Sequence, residues 1–378
     1  MSRKGLALPP AIAQLCPDAG QGATGMTDQI GIFDGHNDFL LRLLRAPGLR
    51  DKIWLTGEGK GHLDLPRMKA GGMIGGFFAV YIPSPPEPAM IDMDRAMENP
   101  PYDLPLPSPV PLSAAQPVAA AMIGHLMWME RTGTLTICRS AAELRATVAA
   151  GRIAAILHFE GAEPIGDDLD ALHLWHAAGL RSLGPVWSRP TLFGHGVPFR
   201  YPSDPDTGPG LTEAGKRLIR GCNRLKIMID LSHLNEKGFD DVAAISDAPL
   251  VATHSNAHAV TPLSRNLTDR QLDMIRDSDG MVGLNFGNIF LHPDGRQETI
   301  TDWDPVLRHL DYLIGRVGED RVGFGSDFDG TSVPAGIGDA AGLPNLIAAL
   351  RGHGYSDDLL RKLGHENWFA LLERTWGA

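Results

Sequence analysis

The sequence predicts an α/β protein, a (β/α)8 barrel of the TIM type with long βα loops laid over its C-terminal face. Three observations predict it. Apolar runs alternate with helical stretches from about residue 30 onward, and eight strand–helix pairs can be counted. The chain has 378 residues, which one large barrel can use as a single unit. Above all, His36, Asp38, Glu160, His233, His254 and Asp327 all fall where apolar runs end, which is where a barrel keeps its working residues. Random placement would scatter such residues through the helices too.

The first run closes in Gly31-Ile32-Phe33-Asp34-Gly35-His36-Asn37-Asp38. Residues i and i+2 of a strand share a face, so His36 and Asp38 are expected to project together. Imidazole and carboxylate are both zinc ligands; alone, the pair fits a capped turn equally well. A short helical turn follows at Leu40–Arg45, ended by Pro47 and Gly48, then a helix at Leu63–Gly71. Gly72–Ile82 is apolar throughout, as a strand covered on both faces is. Residues 83–111 are rich in proline and too long for a simple connection, so they read as an excursion over the barrel mouth.

Helices are expected at Ala114–Arg131 and at Ser140–Ala150, the second opened by a capping box of Ser140 and Glu143. Arg152–Phe159 is a strand delivering Glu160. A helix at Leu169–Ala178 and a strand at Leu180–Trp187 precede a second long excursion, 188–210, full of Gly, Pro and Asp. Then come a helix at Thr212–Leu225, a strand at Lys226–Leu231 ending in Ser232 and His233, and a helix at Glu236–Ser246. Pro249–Thr253 is the strand that ends in His254. The helix Thr268–Arg276, the strand Gly280–Phe286, the helix Trp303–Val317 and the strand Arg321–Gly325 lead to Ser326 and Asp327. Helices at Leu343–Arg351 and Asp357–Trp376 finish the chain.

Residues 1–29 read as an extension and 30–378 as one domain. Leu6–Leu15 follows Arg3 and Lys4 as a signal peptide would, but Pro9 and Pro10 break it, and Met26 is an alternative start. A formal net charge of −11 argues against a nucleic-acid partner. No run reaches the roughly 18–20 apolar residues of a membrane span. Cys16, Cys138 and Cys222 are widely spaced and suggest neither a disulfide framework nor a thiolate zinc site. A cytoplasmic enzyme is expected, and a homodimer is compatible with the sequence.

Three histidines and three carboxylates exceed the needs of one catalytic zinc, which takes three protein ligands and a water. A carboxylate can bridge two cations roughly 3.5–4 Å apart, so a two-metal centre uses the surplus. Zinc lowers the pKa of bound water from 15.7 to about 7, making hydroxide available at neutral pH.

The motifs DGHND at 34–38, EG at 160–161, DLSH at 230–233, THS at 253–255, SRN at 264–266 and GSDFDG at 325–330 together resemble the renal, or membrane, dipeptidase family (zinc peptidase family M19). That family belongs to the amidohydrolase-like metal-dependent barrels. The resemblance implies two Zn2+ per chain, one bound by His36 and Asp38 and the other by His233 and His254, bridged by Glu160 and a hydroxide. It makes Asp327 the proton shuttle and Arg265 the residue that holds the substrate's terminal carboxylate. The implied substrate is a dipeptide, in some relatives with a C-terminal D-residue. Among the alternatives, one is an amidohydrolase acting on N-acyl amino acids or other small amides. Another is a metal-binding barrel without turnover.

The sequence departs from the family at one point. Where the family carries a carbonyl-polarising histidine, Leu180–Trp187 places Trp187, and His195 in the following loop is the candidate replacement. His158 is expected to pack or to support a ligand, Asp34 and Asp329 to hydrogen-bond the ligands or cap turns, and His258 to lie in a loop.

Overall fold

The computed structural model describes residues 29–85 and 92–377, so the expected N-terminal extension, the alternative start at Met26 and Cys16 lie outside the described residues. Its centre is built by eight parallel strands: β1 (Ile32–Asn37), β2 (Met73–Tyr81), β3 (Ile153–Glu160), β4 (Leu180–Gly184), β5 (Met228–Ile229), β6 (Val251–Ala252), β7 (Met281–Asn285) and β8 (Val322–Gly325). They neighbour one another in the order β5-β4-β3-β2-β1-β8-β7-β6. A bridge between Asp230 and Val251, with Leu231 N donating to the Val251 carbonyl at 2.8 Å, joins the two ends. The predicted (β/α)8 barrel is therefore the fold.

β5 and β6 are shorter than the runs Lys226–Leu231 and Pro249–Thr253 suggested, because this seam makes few ladder bonds. One strand of the barrel sheet escaped the reading. Leu135–Ile137 pairs in parallel with the first half of β3, and β4 takes over the same edge from Leu157 onward. Three residues are too few to show a period. The expected last helix is three pieces, Asp357–Arg361, a π-turn at Lys362–Glu366 and Asn367–Trp376. The π-turn brings His365 Nδ1 to 2.9 Å from the Gly31 carbonyl at the mouth of β1.

The barrel interior is apolar at the bottom and polar at the top. Phe33, Phe77, Ile156, Met228, Val251 and Met281 pack with Trp368 of the last helix, whose indole donates to the Phe324 carbonyl. Above them the strand ends carry the charged residues. The two excursions meet over this end: Tyr102–Asp103 pairs antiparallel with Arg200–Tyr201, and Met97, Tyr102, Leu104, Ile289 and Phe290 form a small apolar cluster there.

Candidate metal centre

β1 stops at Asn37, and Asp38 begins the helix Phe39–Arg45, so His36 and Asp38 are not strand neighbours as expected. The turn nevertheless places His36 Nε2 3.9 Å from Asp38 Oδ2. Glu160 closes β3, and its Oε1 lies 3.0 Å from His233 Nε2, 3.5 Å from His254 Nε2 and 3.6 Å from His36 Nε2. The Nε2 atoms of His233 and His254 are 3.2 Å apart, and the rings of His36 and His254 stack at 3.8 Å. On the other side, His36, Asp38 and Asp327 bring ligand atoms within 4.8 Å of one another. Six residues spread over nearly 300 positions thus meet at one rim.

The backbone is bent to achieve this. His233 and Asp327 hold φ of 68° and 57°, in the left-handed region, which costs about 1–3 kcal/mol each and survives only where the surroundings enforce it. The enforcing bonds are on hand. Asp34 accepts from Ser326 N at 2.6 Å and Ser326 Oγ at 2.8 Å, beside Asp327. Asp230 accepts from Ser232 N, Thr253 N and Thr253 Oγ1 at 3.0, 2.9 and 2.6 Å. Having donated to Asp230, Thr253 Oγ1 can only accept from His254 Nδ1, 2.8 Å away. That fixes the proton on Nδ1 and leaves the Nε2 lone pair facing Glu160. Ser188 Oγ stands 2.8 Å from His233 Nδ1 in the same role.

A divalent cation fits this set. His36 Nδ1 and Nε2 and Asp38 Oδ1 are buried without hydrogen-bond partners among the described residues. A Cβ on Gly330 would collide with Asp327 Oδ1 and Asp38 Oδ2, so glycine keeps the space between those carboxylates open. Imidazole nitrogens and carboxylate oxygens are the donors zinc accepts. The ionisations say the same. Burial pushes His36 down, but Glu160, Asp38 and Asp327 outweigh it and lift the ring to about 10. Burial raises Glu160 and Asp327, with His36 pulling both back. Burial drives His233 and His254 well below the ordinary imidazole value, helped by Arg265 and His36. A proton held on His36 among three carboxylates stands where a cation's charge is wanted.

A cavity of about 960 Å³ opens above the centre, lined by Asp38, Glu160, His233 and Asp327 at its floor. Tyr81, Trp187, Phe199 and Phe290 form one wall and Arg42, His62 and Asp329 another. Trp187 thus borders the site, whereas half-buried His195 is not among the lining residues. The main-chain carbonyl of His195 accepts from Asn235 N at 3.2 Å. Arg265 is 4 % exposed and, like His195, is not among the lining residues. It donates to Ser255 Oγ at 2.8 Å and to the His254 carbonyl at 3.0 Å, and its Nε has no partner. Burial lowers it to about 10, with Asp327, Asp230 and Glu160 holding it up. His158 packs as expected, Nδ1 at 2.8 Å from Ser182 Oγ, and burial pushes it down to about 3. Asp329, in a turn, accepts from His62 N at 2.6 Å and pairs with Arg42, and His258 Nε2 meets the Ser203 carbonyl at 2.9 Å in its loop, as read.

Some residues escaped the sequence reading because their partners are remote. Asn285 Nδ2 donates to Asp327 Oδ2 at 2.9 Å. Arg189 is fully buried, with Nε donating to Glu163 Oε1 at 3.0 Å, Nη1 to Ser84 Oγ at 2.8 Å and Nη2 to the Ile82 carbonyl at 2.8 Å. This clasp ties the second excursion to the end of β2. Glu163→Ala leaves the guanidinium buried and unpaired, so urea unfolding should show a loss of about 3–5 kcal/mol.

His309 is fully buried beneath the loop that carries Arg265; its Nδ1 accepts from Ala257 N at 3.1 Å, and Nε2 faces Thr261 Oγ1 at 3.2 Å. Burial lowers it from 6.5 to about 3. Its folded value is depressed, so the stability it carries is present above the unfolded value and is lost as pH falls toward the folded one. Urea unfolding should show its share falling by about 2 kcal/mol between pH 7 and 5, a component missing in His309→Gln.

Among the described residues no helix is long and apolar enough to cross a membrane. The chain resembles, at 67% identity and a TM-score of 0.91, the crystal structure of a metallopeptidase from Rhodobacter sphaeroides liganded with a phosphinate mimic of the dipeptide L-Ala-D-Ala, covering 92% of this chain and all of that one. A second solved structure, dipeptidase AC, a metallopeptidase of family M19, is 66% identical with a TM-score of 0.91, covering 93% of this chain and all of that one. An uncharacterized protein in the pqqA 5′ region of Klebsiella pneumoniae is 50% identical over 244 residues, 65% of this chain and 90% of that protein. With the model of the membrane dipeptidase family (peptidase family M19) matching residues 21–376, and with a buried histidine–carboxylate centre at the rim of its barrel, the chain belongs to that family of metal-dependent dipeptidases.

Proposed function

We propose that this enzyme hydrolyses dipeptides, including those with a C-terminal D-residue, on a pair of zinc ions held by His36 and Asp38 on one side, His233 and His254 on the other, and Glu160 between them. The observation that carries the reading is the single Glu160 oxygen within 3.6 Å of three imidazole nitrogens from three different strand ends. Three carboxylates at the centre also favour two divalent charges over one. The phosphinate mimic of L-Ala-D-Ala in the 67%-identical structure supports the substrate class.

Zinc bound there would lower the pKa of a water to about 7 and polarise the scissile carbonyl. Asp327 stands beside that position, with Asn285 holding its Oδ2 and leaving Oδ1 toward the centre. It accepts the proton of the attacking water and delivers it to the leaving amine as the carbon–nitrogen bond breaks. The resemblance to the family assigns Arg265 to the substrate carboxylate, and its guanidinium lies 5.7 Å from the ring centre of Phe290, which lines the cavity.

The test is a panel with zinc supplied: L-Ala-L-Ala, L-Ala-D-Ala, their C-terminal amides and N-acetylalanine. Cleavage of free dipeptides but not of amides is expected. Cleavage of N-acetylalanine with the dipeptides untouched would overturn the reading.

A further inference from the structure

We propose that Trp187 is a catalytic residue, its indole N–H donating to the scissile carbonyl oxygen as negative charge develops there. The inference rests on the dipeptidase reading above. The four buried indoles all have acceptors: Trp54 donates to Thr134 Oγ1 at 2.9 Å, Trp175 to the Pro164 carbonyl at 3.2 Å, Trp368 to the Phe324 carbonyl at 3.0 Å and Trp376 to the Arg181 carbonyl at 3.3 Å. Trp187, like the half-buried Trp128 and Trp303, has no acceptor for its N–H among the described residues, and of these three it is the one that lines the cavity. Its ring centre is 5.9 Å from that of His233, so it borders the metal ligands themselves.

The ring is also held. Tyr81 meets it edge-on at 5.2 Å, Phe199 flanks it at 6.1 Å, and the Arg189 guanidinium sits 5.5 Å from its centre. Arg189 is locked in turn by Glu163, Ser84 and the Ile82 carbonyl, so the wall is rigid before substrate arrives. A fixed donor requires no reorganisation as charge builds, which is what makes such donors effective. An indole N–H is a donor only and does not titrate in the working pH range. His195, the other candidate, does not line the cavity.

The experiment compares W187F, W187H and Y81F with the wild-type zinc enzyme on L-Ala-D-Ala. W187F keeps the ring and removes the N–H: kcat should fall about 10²-fold, with KM and zinc content little changed. Affinity for a phosphinate analogue of L-Ala-D-Ala should fall alongside kcat/KM. W187H should regain at least about tenfold over W187F, with a pH dependence near the imidazole range that W187F lacks. Wild-type kcat in W187F, or loss in Y81F alone, would overturn the assignment to Trp187. A wild type inert toward every dipeptide would overturn the dipeptidase reading instead.

Discussion

Asp327→Asn is expected to keep its metal and its fold while kcat falls about 10²- to 10⁴-fold, the range a positioned acid–base group supplies. The substitution is mild in every other respect. Residue 327 sits at φ 57°, and asparagine is among the few side chains that enter the left-handed region readily. Asn285 Nδ2 can still donate to the remaining amide oxygen, so the side chain stays oriented. What disappears is the ability to take and return a proton. Steady-state kinetics with zinc analysis on the same sample checks this, and wild-type turnover would remove Asp327 from the mechanism.

Glu160→Gln should do more, because it strikes the metal. Its Oε1 faces His36, His233 and His254 together. An amide keeps the shape but gives up the charge and one acceptor. Changing a mere outer partner of a ligand costs about 10- to 100-fold in metal affinity or activity, so loss of this shared carboxylate should exceed about 100-fold. Bound metal stabilises the folded chain by about 2.7 kcal/mol at a hundred times its dissociation constant. Glu160→Gln should therefore melt several degrees below the zinc enzyme and no longer respond to chelator. A chelator-sensitive melting point equal to that of the wild type would contradict the assignment.

The sequence carried the barrel because strand runs, helix caps and their alternation are local. Thr212 caps its helix through Gly215 N. Ser140 caps through Glu143 N, yet Glu143 reaches back to Arg139 N rather than to Ser140, a shift of one residue that no pattern announces. The lengths of β5 and β6 were overread because ladder pairing belongs to the neighbouring strand. The candidate ligands were legible since the fold places them at strand ends. Their tautomers were not, since Asp230 and Thr253 lie 23 residues apart and meet only in the barrel. Thr253, immediately before His254, was the one available signal. Arg189 and Glu163 offered none: an arginine in a loop reads as solvated until its clasp is seen. The loop of His195 pairs with the segment after His233, Val197 N donating to the His233 carbonyl and Asn235 N to that of His195, but His195 is not among the residues lining the cavity.

The whole account depends on two cations sharing Glu160. Metal-free protein titrated with zinc, with hydrolysis of L-Ala-D-Ala followed at each addition, tests this most directly. Activity should climb until two equivalents per chain are bound and then level off. A plateau at one equivalent, or no hydrolysis at any loading, would contradict it.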